Sequence, residues 1–169
     1  NKAFLESLFS EKKGKKVSIH IPSRGEKRRL VEMALVNASR ELEKRLLKEE
    51  EERASILMLK ELLGMERLPA RIECFDNSNI QGSNPVAACV VFKNGKPYKK
   101  DYRHYNIKTV TGPDDFASME EVVFRRYKRL LEEDAPLPQL IVIDGGKGQL
   151  SSAVKSLEVL GLRGKISIL

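Results

Sequence analysis

The chain has almost no sulfur chemistry to offer. Cys74 and Cys89 are the only cysteines in 169 residues, and both sit inside apolar, strand-like runs. Buried free thiols are expected, and a disulfide-stapled scaffold, which needs more cysteines than this, is excluded. No apolar run approaches the ~18 residues that a membrane span requires, and the N-terminus has no leader pattern. These absences imply a soluble protein of a reducing compartment, the cytoplasm, with no membrane partner. One more thing is missing. The glycine-rich stretch "IDGGKGQL" (143–150) invites comparison with a phosphate-binding Walker A loop, but Lys147 is followed by Gly148 where that loop needs Ser or Thr, and no glycine stands five before Gly146. That chemistry is excluded as well.

What is present is charge. Lys and Arg number 31 against 24 Asp and Glu, a formal net charge of +7. An excess of that size favours polyanionic partners, though it speaks to association rather than to fold. A hydrophobic content of 41% is enough for one core of ordinary domain size. The chain opens on Asn1 and closes on a strand-like "KISIL", so it is expected to be part of something longer.

Three segments follow from patterning. Residues 1–23 read as a linker holding a short β-like run, Val17 to Ile21, ended by Pro22. Residues 24–67 read as a long, highly charged helix with one narrow stripe: Leu30, Ala34, Ala38, Leu42 and Leu46. Its "KEEEER" stretch (48–53) has no apolar partner, so a solvated spacer or a partner-docking helix is expected, with Gly64 as its cap and Pro69 as a stop. Residues 68–169 read as the globular core. There, 71–79 and 86–92 read as strands, and Asn94-Gly95 suits a tight hairpin turn into a third strand over 97–107. A helix should bury Phe116, Met119, Val123, Tyr127, Leu130 and Leu131. A short apolar strand (140–144), a helix from Leu150 to Leu160 and a final strand complete the order βββαβαβ. This predicts an α/β fold with a mixed five-stranded sheet, three antiparallel strands and then parallel additions, with helices packed on it. The ribonuclease H-like arrangement, in which the first and fourth strands are parallel neighbours, satisfies it.

In that arrangement Asp76, near the end of the first strand, and Asp144, at the end of the fourth, meet at one end of the sheet. Adjacent carboxylates repel and are partly desolvated unless a cation lies between them. Mg²⁺ or Mn²⁺ would fit, being hard cations that take oxygen ligands and keep open positions. The bare backbone at Gly145 and Gly146 would then let a phosphodiester approach, with Lys147 and the next helix's first turn meeting its charge. Taken singly, each aspartate reads first as a helix cap or turn former. The basic residues Lys99, Lys100, Arg103, Arg125, Lys128 and Arg129 read either as DNA-backbone contacts or as ordinary solvated surface.

The blocks "RIECFDNSNIQG", "VAACVVF", "DYRHYNI", "GPDDFASMEEV", "RRY" and "IVIDGGKGQL" resemble the endonuclease domain in the second half of UvrC, the nuclease subunit of the bacterial excinuclease. The resemblance runs from about residue 17 to the C-terminus. It implies a ribonuclease H-like endodeoxyribonuclease that makes the 5′ incision beside a lesion in nucleotide-excision repair, with a divalent metal, damaged double-stranded DNA as substrate and the helicase subunit UvrB as partner. It places the family's two core catalytic and metal-holding aspartates on Asp76 and Asp144. A further acidic residue falls on Asp115, in preference to Asp114, which would then cap the helix. The family's histidine is expected beyond residue 169, since His20 and His104 match no motif. Asn77 stands where many members carry isoleucine, a difference expected to affect packing. The readings left beside the repair nuclease are a silent ribonuclease H-like binding module and another nuclease of the same fold, a ribonuclease or junction resolvase.

Overall fold

The computed structural model describes residues 1–78, 86–108, 110 and 114–169. They form two compact units, Asn1–Lys48 and Glu49–Leu169.

In the first unit, α1 (Lys2–Lys13) occupies a segment whose sequence predicts a linker; Gly14 ends it in a left-handed conformation. The predicted strand at 17–21 is not one: these residues join no ladder among the described residues. Its main chain bonds to helix side chains instead: Val17 N–H donates to Ser10 Oγ at 2.8 Å and Ile19 N–H to Glu6 Oε1 at 2.7 Å. A solitary β-like run has no ladder to join, and α1 supplies the acceptors its amides need. Helix α2 (Glu26–Leu62) begins in this unit and ends in the second. Its predicted stripe is not buried; Leu30, Ala34, Ala38, Leu42 and Leu46 are all exposed. Good helix formers and i,i+4 pairs such as Arg28–Glu32 and Glu41–Arg45 sustain it.

The second unit is the sheet domain. Strands β1 (Arg71–Ser78) and β2 (Val86–Lys93) are antiparallel, and β1 pairs in parallel with β5 (Leu140–Asp144). The predicted adjacency of the first and fourth strands is therefore present. Asn94 and Gly95 both take positive φ, at 51° and 78°, the turn that this dipeptide favours. The anticipated third strand is broken in two: β3 (Lys96–Pro97) and β4 (Arg103–Asn106) both pair with β2, separated by a 3₁₀ turn at Lys99–Asp101. Pro97 has no N–H to continue the ladder, and the excursion carries Asp101 to Arg71. The described sheet thus has six strands, not five. Its order is β3-β2-β1-β5-β6, with β4 also on β2 and β6 (Ser167–Ile168) at the other edge.

One sheet face carries Phe75, Ala87, Cys89, Val91, Ile141 and Ile143, all buried under α3 (Asp115–Glu132) and α4 (Lys147–Val159). Helix α3 presents Met119, Val122, Val123, Tyr127 and Leu130. Phe116 and Leu131, predicted for that face, stay largely exposed. Helix α4 begins three residues before the predicted Leu150, because Gly146 serves as its cap and Gln149 folds back to accept its N–H at 3.0 Å. Ser156 on α4 donates to the Glu120 carbonyl of α3 at 2.8 Å, fixing the helices side by side. The predicted ends of the first strand at Asn79 and of the "GPDD" turn at Gly112 and Pro113 lie outside the described residues.

Candidate active site at the ends of two parallel strands

Side chains alternate along a strand, so Phe75 in the core puts Asp76 on the opposite, open face. Ile143 and Asp144 repeat that step one strand over. In the β1–β5 ladder Asp76 and Asp144 are direct register partners. Neighbouring strands lie ~4.8 Å apart, and parallel partners point to the same face. Both aspartates are exposed, and the side chain of neither makes a hydrogen bond or ion pair among the described residues. Cys74, two residues earlier on the same face, reports their joint field: burial first, then the charges of Asp144 and Asp76, push its thiol up.

Two unpaired carboxylates at one level, open to water, form an oxygen-only donor pair. Such a set suits a hard divalent cation, which is bound through one or two carboxylates and keeps several waters. No group of three or more ligating side chains is gathered among the described residues, so Asp115 does not join the pair as a third ligand there. It stands nearby through its main chain. Asn77, the residue after Asp76, donates from Nδ2 to the Asp115 carbonyl at 3.0 Å and ties the start of α3 to the end of β1. The adjacent Asp114 is the helix cap, accepting from the N–H groups of Phe116 and Ala117 at 3.0 Å each. Asn77 therefore does more than fill the space of an apolar side chain.

The glycines of 145–148 divide into two kinds. A Cβ on Gly145 would stand 1.5 Å from Gln149 Oε1, and one on Gly148 would stand 2.3 Å from the Phe116 ring. These two are glycine because α4's own cap and the neighbouring helix occupy the space. Gly146 alone faces open space, so the expected approach for a phosphodiester narrows to that residue. Lys147, exposed, is the first residue of α4.

The other predicted DNA contacts scatter. Lys99 and Lys100 lie in the 3₁₀ turn. Arg125 bonds Glu121 and the Asn106 carbonyl at 2.8 and 2.9 Å, and Lys128 stands 3.9 Å from Glu132. Arg103 and Arg129 converge on one cavity, together with Arg71 and Arg126.

Sequence reasoning missed the charge network behind that cavity. Glu73 is fully buried in β1. Its Oε1 accepts from Arg71 Nη2 at 2.7 Å and Arg126 Nη2 at 2.8 Å; its Oε2 accepts from Arg126 Nε and from Tyr127 Oη, each at 3.1 Å. Burial pushes the Glu73 carboxyl up, but the hydrogen bonds and charges of Arg126 and Arg71 outweigh it and hold the group below the usual carboxylate range. Burial, then Glu73, pushes the Cys89 thiol up to about 12. The signal was available: Glu73 occupies an inward step of the "RIECF" alternation, and Arg126 falls on the apolar side of α3 beside Val122 and Val123.

Residues 60–169 match the family model described as the UvrC RNAse H endonuclease domain, and residues 1–45 match one described as the UvrC ribonuclease H-like domain. The UvrABC system protein C of Christiangramia forsetii is 59% identical over 162 residues, covering 92% of this chain and 27% of that protein. Its counterpart in Flavobacterium psychrophilum is 55% identical over 167 residues, covering 95% and 28%. The chain thus spans about a quarter of the length of the curated relatives it matches. Among solved structures, endonuclease V of Ciona intestinalis in complex with an inosine-containing DNA is 18% identical with a TM-score of 0.40, covering 72% of this chain and 54% of that one.

Proposed function

Since this chain belongs to the UvrC ribonuclease H endonuclease family, we propose that its sheet domain cuts DNA at Asp76 and Asp144, making the 5′ incision beside a lesion in nucleotide-excision repair. The observation that carries this reading is the register of two aspartates, without side-chain partners among the described residues, on the outer face of parallel neighbours. Asp76 and Asp144 would hold a divalent cation, Mg²⁺ or Mn²⁺, through their carboxylate oxygens. Such an ion, when bound, supplies Lewis acidity toward a phosphodiester and a more acidic water.

The chain's own residues supply the rest. Gly146 leaves room for the sugar–phosphate backbone beside Asp144. The α4 N-terminus offers main-chain N–H groups, and Lys147 adds positive charge, so a phosphate oxygen is held next to the carboxylates. Asp115, whose main-chain carbonyl is held by Asn77, would add a third negative group near the same end of the sheet. Damaged duplex DNA and the helicase subunit UvrB are the partners this reading assigns to the full-length protein.

Asp76→Asn and Asp144→Asn, made in the full-length protein, test it. Each keeps shape and removes charge. DNA binding should persist while 5′ incision disappears; normal incision by either variant overturns the assignment.

A further inference from the structure

The opposite end of β1 carries a second electrostatic feature, as positive as the first is negative. Around Arg71 lies a cavity of about 220 Å³. Five cations line it: Arg71, Lys93, Arg103, Arg126 and Arg129. Only two acidic residues do, Asp101 and Glu133. Adding Glu73 beneath the floor leaves five positive charges on three carboxylates. Those carboxylates are already shared. Glu73 serves Arg71 and Arg126 together, Asp101 serves Arg71 at 2.7 Å and Lys93 at 3.3 Å, and Glu133 serves Arg129 at 2.7 Å.

Arg103 is left over. Its Nη1 donates to the Lys100 and Tyr102 carbonyls at 2.9 and 2.7 Å, and it makes no ion pair among the described residues. The guanidinium is held in place without being neutralised. Arg71 and Arg126 are only 7% and 5% exposed, so part of the surplus charge sits where water screens it poorly. A cavity with net positive charge, one guanidinium free of any carboxylate and others that keep spare N–H groups suits an oxyanion, and a phosphoryl group, with more charge and more oxygens than a carboxylate, can accept from several of them at once.

We propose that this cavity is a phosphoryl-binding site, separate from the carboxylate pair. Arg71 and Asp76 are five residues apart on one strand, roughly 17 Å at about 3.3 Å per residue. Side chains an odd number of positions apart point to opposite faces, so the two sites are distinct, and the phosphoryl group could come from the DNA backbone away from the cut or from a free phosphorylated ligand. The first source rests on the nuclease reading; the cavity's preference for a phosphoryl group does not.

The test uses the chain of residues 1–169 in EDTA, so that its outcome is independent of metal and incision. Arginine Nε–H resonances are followed while inorganic phosphate is added against sodium chloride at equal ionic strength. Phosphate should give saturable shifts at Arg71, Arg103 and Arg126. Arg103→Gln and Arg129→Gln, both at exposed rim positions that leave the core amide spectrum intact, should each weaken phosphate binding about tenfold. Arg163→Gln, which removes an equal charge beside Glu158 on another surface, should leave it unchanged. A duplex DNA arm then identifies the source. Loss of DNA affinity in the Arg103→Gln/Arg129→Gln double variant, with the slope of log K against log salt falling by about 2, assigns the site to the DNA backbone. Unchanged DNA affinity together with lost phosphate binding assigns it to a free phosphorylated ligand. No saturable shift, or equal weakening by Arg163→Gln, overturns the proposal.

Discussion

Glu73 and Asp76 stand three residues apart on one strand and live in opposite electrostatic worlds. Glu73 faces the helices, is fully buried, and satisfies both oxygens with two arginines and a tyrosine. Asp76 faces outward, is exposed, and has for its neighbour another aspartate. A buried carboxylate with every lone pair matched is a structural device, costly to break. An exposed carboxylate set beside its like has no structural reason to be there, since the repulsion is relieved by replacing either one. Charge that is expensive and compensated holds the fold; charge that is uncompensated and gathered in one place waits for a ligand.

The two classes should part most widely on neutralisation. Asp76→Asn or Asp144→Asn should remove incision by the full-length protein to the limit of a gel assay, yet leave the urea unfolding midpoint unchanged or slightly raised. Glu73→Gln should do the reverse in kind. It leaves Arg71 and Arg126 buried without a counter-charge, so unfolding in urea should show a loss of about 3–5 kcal/mol. If Asp76→Asn destabilises as much as Glu73→Gln, the division between the two carboxylates fails.

Acid sharpens the same contrast. The Glu73 carboxyl is held below its ordinary value by Arg126 and Arg71 once their effect outweighs burial. An acid depressed in the folded state stabilises fully above its unfolded pKa and loses that stabilisation as pH falls through the folded one. Wild-type stability should therefore decline as pH falls below about 4.3, and in Glu73→Gln that share of the decline should be absent. Urea midpoints measured across the acid range compare the two directly. The smallest effect separates two adjacent residues. Asp114→Ala removes a helix cap and should cost about 1 kcal/mol, whereas Asp115→Ala leaves that cap in place and should lower incision.

Much of this was legible in the sequence because it is local or periodic. The Asn94-Gly95 turn, the amphipathic α3 and the apolar strand ending in Asp144 each follow from a few neighbouring residues. The adjacency of β1 and β5 belongs to one architecture that the order of elements allows, and the family resemblance implies the same one. What escaped depends on distant partners. Arg71, Glu73 and Arg126 look like three ordinary polar residues until β1 lies under α3. The third strand looked continuous because Tyr98, Tyr102 and Tyr105 recur along it, although Lys99, Lys100 and Asp101 interrupt the alternation; Pro97 and the pull of Arg71 on Asp101 break the ladder. The stripe on α2 promised burial, yet a 3.6-residue period guarantees only that apolar residues share a face, not that anything covers it. At the site, Gly145 and Gly146 were read together as bare backbone; Gln149, contributed by the following helix, claims the space at the first.

The most direct test is anomalous diffraction from crystals of this chain soaked in Mn²⁺. A peak bridging Asp76 and Asp144, within about 2.3 Å of an oxygen from each, is the result expected from their shared level on β1 and β5. A peak on one carboxylate alone, or no peak between them at saturating Mn²⁺, would contradict it.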